Sequence, residues 1–187
     1  LVGERIVKAH PEMQIDVNAI AQGYSVDVVC DYLSDNKISN YLVEIGGEIR
    51  TRGLSPRGDD WKVGIDKPVE GNVVPGQNLQ QVVRLVDKSL ASSGNYRKFF
   101  EIDGEKIVHT IDPSTGYTKP SNLLSVTIIT DECITADAYS TTCMVLGLEE
   151  AKRFVESLEG VEALFIYSDE DGSLLEWMTV GMEELLL

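Results

Sequence analysis

Residues 123–142 read LLSVTIITDECITADAYSTT, and this stretch is the basis for interpreting the rest of the chain. Its first part, Leu123 to Ile129, is an apolar, β-branched run that is typical of a buried strand. After a polar break at 130–132, a helix-like segment extends to Leu146, and Thr135 is well placed as its N-cap. The stretch therefore predicts a core strand followed directly by a helix.

Asp137 and Thr141 are four residues apart in the helical part, so their side chains share one face of the predicted helix. A carboxylate and a hydroxyl that converge near a helix start can bind a hard cation such as Mg²⁺, which prefers oxygen ligands. The alternative is structural, with a capping hydroxyl and an aspartate favoured by the helix dipole. Taken alone, residues 135–142 favour the structural interpretation.

Composition limits the class of protein. A chain of 187 residues with 43% hydrophobic residues can bury a substantial core, and we expect residues 1–187 to form part of a single domain. Sixteen basic and 31 acidic residues give a net charge of −15, which excludes general nucleic-acid binding. An anionic ligand would need local attraction from a metal ion, a helix N-terminus or a backbone nest.

The cysteines and the chain start give little functional information. The chain has three cysteines, an odd number, and no C-x-x-C pair: Cys30, Cys133 and Cys143. We therefore expect buried thiols rather than disulfides or a zinc site. The sequence begins at Leu1 and contains no signal peptide and no apolar run of membrane length. We interpret it as a fragment or processed piece, so this absence does not decide its location.

The order of predicted elements indicates an α+β fold with largely antiparallel sheet and packed helices. The first predicted helix rests on the helical spacing of Ile20, Tyr24, Val28 and Tyr32. Residues 90–94 are expected to continue the preceding strand into an irregular segment. Strands are predicted at 4–9, 13–17, 41–45, 48–52, 61–65, 79–86, 99–102, 106–111, 123–129, 163–167 and 174–180, and helices at 19–33, 135–146 and 149–157.

Five short clusters lie in loops or at element ends, where binding residues are common. Each also has a structural explanation: an N-cap, an ordinary hairpin turn, a change of chain direction or a structural strand histidine. Gly23, inside a predicted helix, costs about 1 kcal/mol relative to alanine and so suggests a close neighbour. The clusters are DVNAIAQGY at 16–24, EIGGE at 44–48, ASSGNY at 91–96, HTIDPSTG at 109–116 and TADAYSTT at 135–142.

Together, and in this order, the clusters resemble the motifs of the ApbE family of FAD:protein FMN transferases. DVNAIAQGYSVD at 16–27 is similar to the family's D-L-G-G-I-A-K-G-Y-A-V-D, and 44–48 to N/E-x-G-G-D/E. Residues 91–96 resemble A-T-S-G-D-Y, 109–116 resemble H-x-I-D-P-x-T-G, and 136–141 resemble A-D-A-x-A/S-T. The resemblance extends over about 16–154 and implies the ApbE-like, T-fold-like arrangement of the α+β class.

The resemblance also implies the chemistry. Family members bind FAD and Mg²⁺, cleave the pyrophosphate, and attach FMN to a threonine of an acceptor flavoprotein, releasing AMP. The metal ligands that it implies are Asp137, Thr141 and the backbone carbonyl of Ala19, with Asp137 as the catalytic residue. The FAD contacts that it implies are Asp16, Gln22, Gly46, Gly47, Ser93, Gly94, His109 and Ile111.

Three features depart from the family pattern. Gln22 replaces a lysine, which removes a positive charge but keeps a hydrogen-bond donor. Asn18 and Ala19 replace a Gly-Gly pair. The chain is also shorter than its relatives, so we expect an N-terminal portion to be absent, or to exist as a separate chain that acts as a partner.

Two rival functions remain open at this point. One is hydrolysis of FAD to FMN and AMP by water at the same site, since the nucleophile is not in this chain. The other is a flavin-binding protein that has lost catalysis. By resemblance, we expect the protein at the outer face of a bacterial cytoplasmic membrane, in the periplasm, held by a lipid anchor.

Overall fold

The fold is described from a computed structural model. The described residues are 5–69, 71–72, 74–95, 99–102, 105–108, 115–117 and 121–187. The predicted α+β class is confirmed, because helices pack on sheets in which every strand pair is antiparallel.

A six-stranded sheet in the order β1-β2-β5-β8-β9-β10 forms the centre of the molecule. Two further strand pairs, β3-β4 and β6-β7, stand outside it. The strands are β1 (Tyr41–Ile45), β2 (Glu48–Arg52), β3 (Trp61–Asp66), β4 (Leu79–Leu85), β5 (Ser89–Gly94), β6 (Phe99–Ile102), β7 (Glu105–Val108), β8 (Leu123–Thr130), β9 (Glu162–Ser168) and β10 (Leu174–Met178). The helices are α1 (Ala21–Asp35), α2 (Cys133–Leu146), α3 (Leu148–Glu156) and α4 (Val180–Leu185).

Alternation along the central strands separates two apolar layers. In β9, Phe165 packs with α2 and α3, whereas Leu164 packs on the opposite side with the β3-β4 hairpin and α4. In β5, Ala91 faces α2 and Leu90 faces the hairpin. The same alternation places Ser93 on the α2 side, two residues after Ala91.

Helix α1 lies against α2 and the edge pair β1-β2. A small cluster of buried side chains joins these elements: Val26, Cys30, Tyr41 and Cys133. All three cysteines are free and buried, as the sequence predicted. Within the described ranges, none of the helices has the length and apolar composition needed to cross a bilayer.

Several expectations about local structure were wrong. The strands predicted within 4–17 do not form between residues 6 and 17, where every residue is exposed. Ser89–Gly94 is a regular strand, paired along its length with β8 and at Ser89 and Leu90 with β2, and small side chains face α2. The stripe that predicted the first helix faces solvent in part, with Tyr24 58% and Tyr32 67% exposed.

The start and end of two segments also differ from expectation. Helix α2 begins at Cys133 rather than Thr135, and the N-cap Glu132 makes no side-chain capping bond. Strand β10 ends at Met178, two residues before the predicted end at 180. Helix α4, which the sequence did not predict, begins at Val180, and Thr179 caps it by accepting a hydrogen bond from the Met182 N–H. The described residues between 67 and 78 form no helix or strand, as predicted, and the strand pairs β1-β2, β6-β7 and β9-β10 agree with the predicted hairpins. The part of the strand predicted at 109–111 lies outside the described residues.

Candidate active site

Gly23 is the point of close approach between α1 and α2. A β-carbon at this position would clash with the carbonyl oxygen of Cys133 and lie 2.8 Å from the β-carbon of Asp137. The backbones can approach this closely because the residue has no side chain. The close neighbour suggested by a glycine inside a helix is therefore the first part of α2.

This approach places a carboxylate of α2 against the N-terminus of α1. The Gly23 N–H donates to Oδ2 of Asp137 at 2.9 Å, and the Asp137 side chain is buried, with 4% of its residue surface exposed. No hydrogen bond from the described part of the chain reaches Oδ1. Burial raises the pKa of the Asp137 carboxyl, and the Gly23 N–H lowers it by a smaller amount.

Hydroxyl groups surround the next turn of α2. Oγ of Ser93, on β5, lies 3.3 Å from Oγ1 of Thr141 and 2.9 Å from Oγ of Ser140. Ser140 Oγ also donates to the backbone carbonyl of Asp137 at 3.0 Å. The structure thus brings Ser93, from another sequence cluster, into contact with Thr141, one helical turn after Asp137.

The Gly46-Gly47 turn lies beside the start of α1. Gly46 and Gly47 have φ values of 69° and 111°, in the left-handed region that favours glycine. The side-chain amide of Gln22 occupies the space that a β-carbon on Gly46 would fill. The Gly47 N–H donates to the Glu44 carboxylate at 2.8 Å. Gln22 and the Gly46-Gly47 turn are therefore a second group of predicted residues that the structure brings into contact.

The other predicted residues take no part in these contacts. Asp16 is exposed and accepts hydrogen bonds from Asn18, one from its backbone N–H at 2.7 Å and one from its side chain at 3.2 Å. Ala19 is half-buried in the turn before α1, and Gly94 ends β5 next to Ser93. His109 and Ile111 lie outside the described residues.

Asp27 is a residue of this region that the sequence analysis did not single out. Its carboxylate accepts hydrogen bonds from the N–H groups of Cys133 at 3.1 Å and Ile134 at 2.8 Å, and pairs with Arg50 at 2.6 Å. It is the last residue of the motif at 16–27, but the two N–H groups that it accepts are more than a hundred positions away in sequence. Only its place in that motif, one helical turn after Gly23, could have indicated it.

The donor set fits a hard divalent cation. Around Asp137 the candidate donors are oxygens of one carboxylate and the hydroxyls of Thr141 and Ser93. Within the described residues, no group of three or more His, Cys, Asp or Glu side chains could hold a metal. A single carboxylate with hydroxyl, water and phosphate oxygens is the pattern that Mg²⁺ accepts, since this ion keeps several waters.

Comparison with known proteins identifies the family. The sequence model of the ApbE family matches residues 2–165 of the chain. The chain belongs to the ApbE family. This ApbE chain is 40% identical over 170 residues to the FAD:protein FMN transferase of Vibrio cholerae. The matched region covers 91% of this chain and 49% of that relative.

Further relatives agree. The FAD:protein FMN transferase of Escherichia coli K12 is 35% identical over 177 residues, covering 95% of the chain and 49% of that protein. A solved mutant of the flavin transferase ApbE from Vibrio cholerae superposes with a TM-score of 0.84 at 37% identity, covering 100% of this chain and 57% of that one. The chain thus spans about half the length of the curated ApbE relatives that it matches.

Proposed function

We propose that this ApbE chain supplies the metal-binding and part of the flavin-binding site of a Mg²⁺-dependent FAD:protein FMN transferase. The observation that carries the proposal is the buried Asp137 carboxylate, whose Oδ2 accepts the Gly23 N–H. One helical turn further along α2, the Thr141 hydroxyl lies 3.3 Å from that of Ser93. Support comes from relatives named FAD:protein FMN transferase, which match over most of this chain.

In the proposed site, Asp137, Thr141 and the Ala19 carbonyl hold Mg²⁺. The bound ion would neutralise charge on the FAD pyrophosphate and on the departing AMP. The chain's own contribution is orientation, because the Gly23 N–H holds one carboxylate oxygen and no hydrogen bond from the described residues reaches the other. Such a local cation also offsets the net charge of −15, which would otherwise repel a dinucleotide.

The nucleophile in the proposed reaction belongs to the acceptor. Its threonine hydroxyl forms a bond to the phosphorus of the FMN half, the bond from that phosphorus to the AMP oxygen breaks, AMP leaves, and the hydroxyl proton passes to solvent. Asp137 is therefore assigned as a metal ligand and not as the nucleophile. Residues assigned to FAD binding are Asp16, Gln22, Gly46, Gly47, Ser93, Gly94, His109 and Ile111.

The proposed partners follow from this reaction. They are FAD and an acceptor flavoprotein with a target threonine, such as a subunit of a membrane redox complex. We propose the periplasmic face of a bacterial cytoplasmic membrane as the location, with attachment through a lipid anchor.

An Asp137→Ala variant tests the proposal. The protein, with any polypeptide that co-purifies with it, is incubated with FAD, MgCl₂ and a threonine-containing acceptor peptide, and the products are analysed by mass spectrometry. We expect FMN-modified peptide and AMP from the wild type and neither from Asp137→Ala. Asp171→Ala, in an exposed turn, is the matched control and should retain transfer.

The same assay separates the rival reactions. Free FMN and AMP without modified peptide would identify hydrolysis, and FAD that is bound but not consumed would identify a flavin-binding protein. Transfer by Asp137→Ala at saturating Mg²⁺ equal to that of the wild type would refute the proposed site.

A further inference from the structure

Neither α1 nor α2 is capped by its own N-cap residue. The N-cap residues Ile20 and Glu132 make no side-chain capping bond. The first N–H groups of a helix have no partner within the helix, and leaving them unpaired in a buried place is costly. Both helix starts therefore need hydrogen-bond acceptors from elsewhere in the chain.

Each helix supplies the acceptor for the other. The carboxylate of Asp27, on α1, receives the N–H groups of Cys133 and Ile134, the first two residues of α2. The carboxylate of Asp137, on α2, receives the N–H of Gly23, the third residue of α1. The two carboxylates thus cap the helices reciprocally.

The spacing makes the two capping contacts interdependent. Gly23 and Asp27 are one helical turn apart on α1, and Cys133 and Asp137 are one turn apart on α2. Sliding or rotating α2 along α1 would lengthen the hydrogen bonds at both positions. The orientation of Asp137 is therefore determined by contacts one turn away, as well as by its own bond to Gly23.

Charge and burial strengthen the Asp27 contact. Asp27 is 9% exposed, and its ion pair with Arg50 connects the helix pair to strand β2. Hydrogen bonds to an ionised acceptor are about twice as strong as neutral ones, and a carboxylate at a helix N-terminus gains further from the helix dipole. Among the described side chains, Asp27 is the only one that bonds to the first two N–H groups of α2.

We propose that Asp27 is a positioning residue for the Mg²⁺ site, acting through the start of α2 without touching the ion. This inference rests on the proposed function, because it assigns Asp27 to the same metal site. The Asp27 carboxylate accepts the first two N–H groups of α2, and the turn that begins there carries Asp137, the proposed metal ligand.

Asp27→Asn is the test variant, since it keeps the side-chain shape but loses the charge and one of the two acceptor oxygens. Mg²⁺ affinity is measured by isothermal titration calorimetry in the absence of FAD, and folding by circular dichroism and thermal unfolding. We expect Mg²⁺ binding to weaken by about tenfold or more, as is typical when a residue that orients a metal ligand is changed.

The control is Thr179→Val, which removes the cap of α4. It should lower the unfolding temperature and leave the Mg²⁺ dissociation constant unchanged. If Asp27→Asn lowers stability but binds Mg²⁺ as tightly as wild type, Asp27 has only a structural role and the inference is wrong.

Asp27→Glu keeps the charge opposite Arg50 and provides the measurement if Asp27→Asn does not fold. Its longer side chain displaces the oxygens from the two N–H groups, so we expect intermediate Mg²⁺ affinity, and wild-type affinity would overturn the inference. Asp137→Asn distinguishes the two proposals: Mg²⁺ affinity that does not depend on Asp137 refutes the proposed metal site, whereas affinity that depends on Asp137 but not on Asp27 refutes only the positioning role.

Discussion

Two opposing effects meet at Gly23. Glycine inside a helix is about 1 kcal/mol less favourable than alanine, so Gly23→Ala should stabilise α1 in isolation. In the folded chain, however, the added carbon would overlap a backbone carbonyl, which cannot move aside like the end of a flexible side chain. Overpacking of this kind typically costs about 1–3 kcal/mol, so the clash outweighs the helix propensity.

We therefore expect Gly23→Ala to lower the free energy of unfolding and to weaken the Gly23–Asp137 hydrogen bond. Urea unfolding measures the first effect, and Mg²⁺ titration measures the second. Asp31→Ala, at an exposed position of the same helix, is the control and should change stability by no more than about 0.5 kcal/mol. A stabilised Gly23→Ala protein would contradict the close approach of the helices.

Asp137 links stability to pH. Since burial raises the pKa of this carboxyl, the folded chain binds its proton more tightly than the unfolded chain does. The stability from this group is fully present below the unfolded pKa, about 3.9, and is lost as the pH rises through the folded pKa. At neutral pH without metal, the buried carboxylate therefore destabilises the fold.

Asp137→Asn should accordingly raise the unfolding temperature of the metal-free protein at pH 7, since the amide oxygen can still accept the Gly23 N–H. The difference from the wild type should shrink as the pH falls toward 4. Thermal unfolding across this pH range, with a chelator present, measures it. If the unfolding temperature of Asp137→Asn at pH 7 is equal to or lower than that of the wild type, the ionised Asp137 carboxylate does not destabilise the fold.

The three thiols should be unreactive in the native protein. Burial raises the pKa of Cys30 to about 11 and of Cys143 to about 12, and it raises the pKa of Cys133 further. The thiolate is the nucleophile, so both its low population and its burial slow modification. We expect no reaction with Ellman's reagent in native buffer and three equivalents in guanidinium chloride; rapid reaction of one native thiol would contradict the burial.

Helix α1 shows that the residues whose spacing predicts a helix need not form its buried face. The apolar stripe through Tyr24, Val28 and Tyr32 gives helical spacing, yet these side chains are 58%, 48% and 67% exposed. The face that packs carries Gly23, Val26, Asp27 and Cys30, which are small or paired. Close helix contact selects small residues, and hydrophobic periodicity does not detect them.

The sequence did not predict strand β5 or the start of α2 correctly, because both are determined by partners that are distant in sequence. Ser89–Gly94 has few of the side chains that favour strands, but pairing with β2 and β8 forms it. Thr135 was expected to cap α2, and the capping carboxylate instead comes from Asp27 on another helix. Asp137 and Thr141 were assigned from the family resemblance, since their local spacing alone favoured a structural role, whereas the contacts of Asp27 with α2 required the fold.

The β3-β4 hairpin should contribute strongly to stability, since it covers the sheet face opposite α2. Leu85, in β4, is fully buried with Val63, Leu90 and Leu164. We expect Leu85→Ala to cost about 2–5 kcal/mol through lost burial and the cavity left behind. Leu175→Ala, in β10 and 41% exposed, is a matched control that should cost much less. Urea unfolding of both variants measures the difference, and equal costs would show that the hairpin is not part of the core.

The net charge of −15 acts on the whole molecule and complicates any test of metal binding. Self-repulsion destabilises the compact chain, so any added salt should raise the unfolding temperature by screening. Mg²⁺ adds a specific effect if it binds the folded chain at Asp137. A hundredfold excess over the dissociation constant stabilises by about 2.7 kcal/mol, or roughly 5–10 °C in a chain of this size.

The specific effect can be separated by comparing MgCl₂ with KCl at equal ionic strength. We expect MgCl₂ to raise the unfolding temperature of the wild type beyond the KCl value, and we expect this excess to vanish in Asp137→Asn because screening acts equally on both proteins. Differential scanning calorimetry measures all four combinations of salt and protein. An equal excess in both proteins would place the stabilising Mg²⁺ on the acidic surface rather than between α1 and α2, and the Asp137 site would then be wrong.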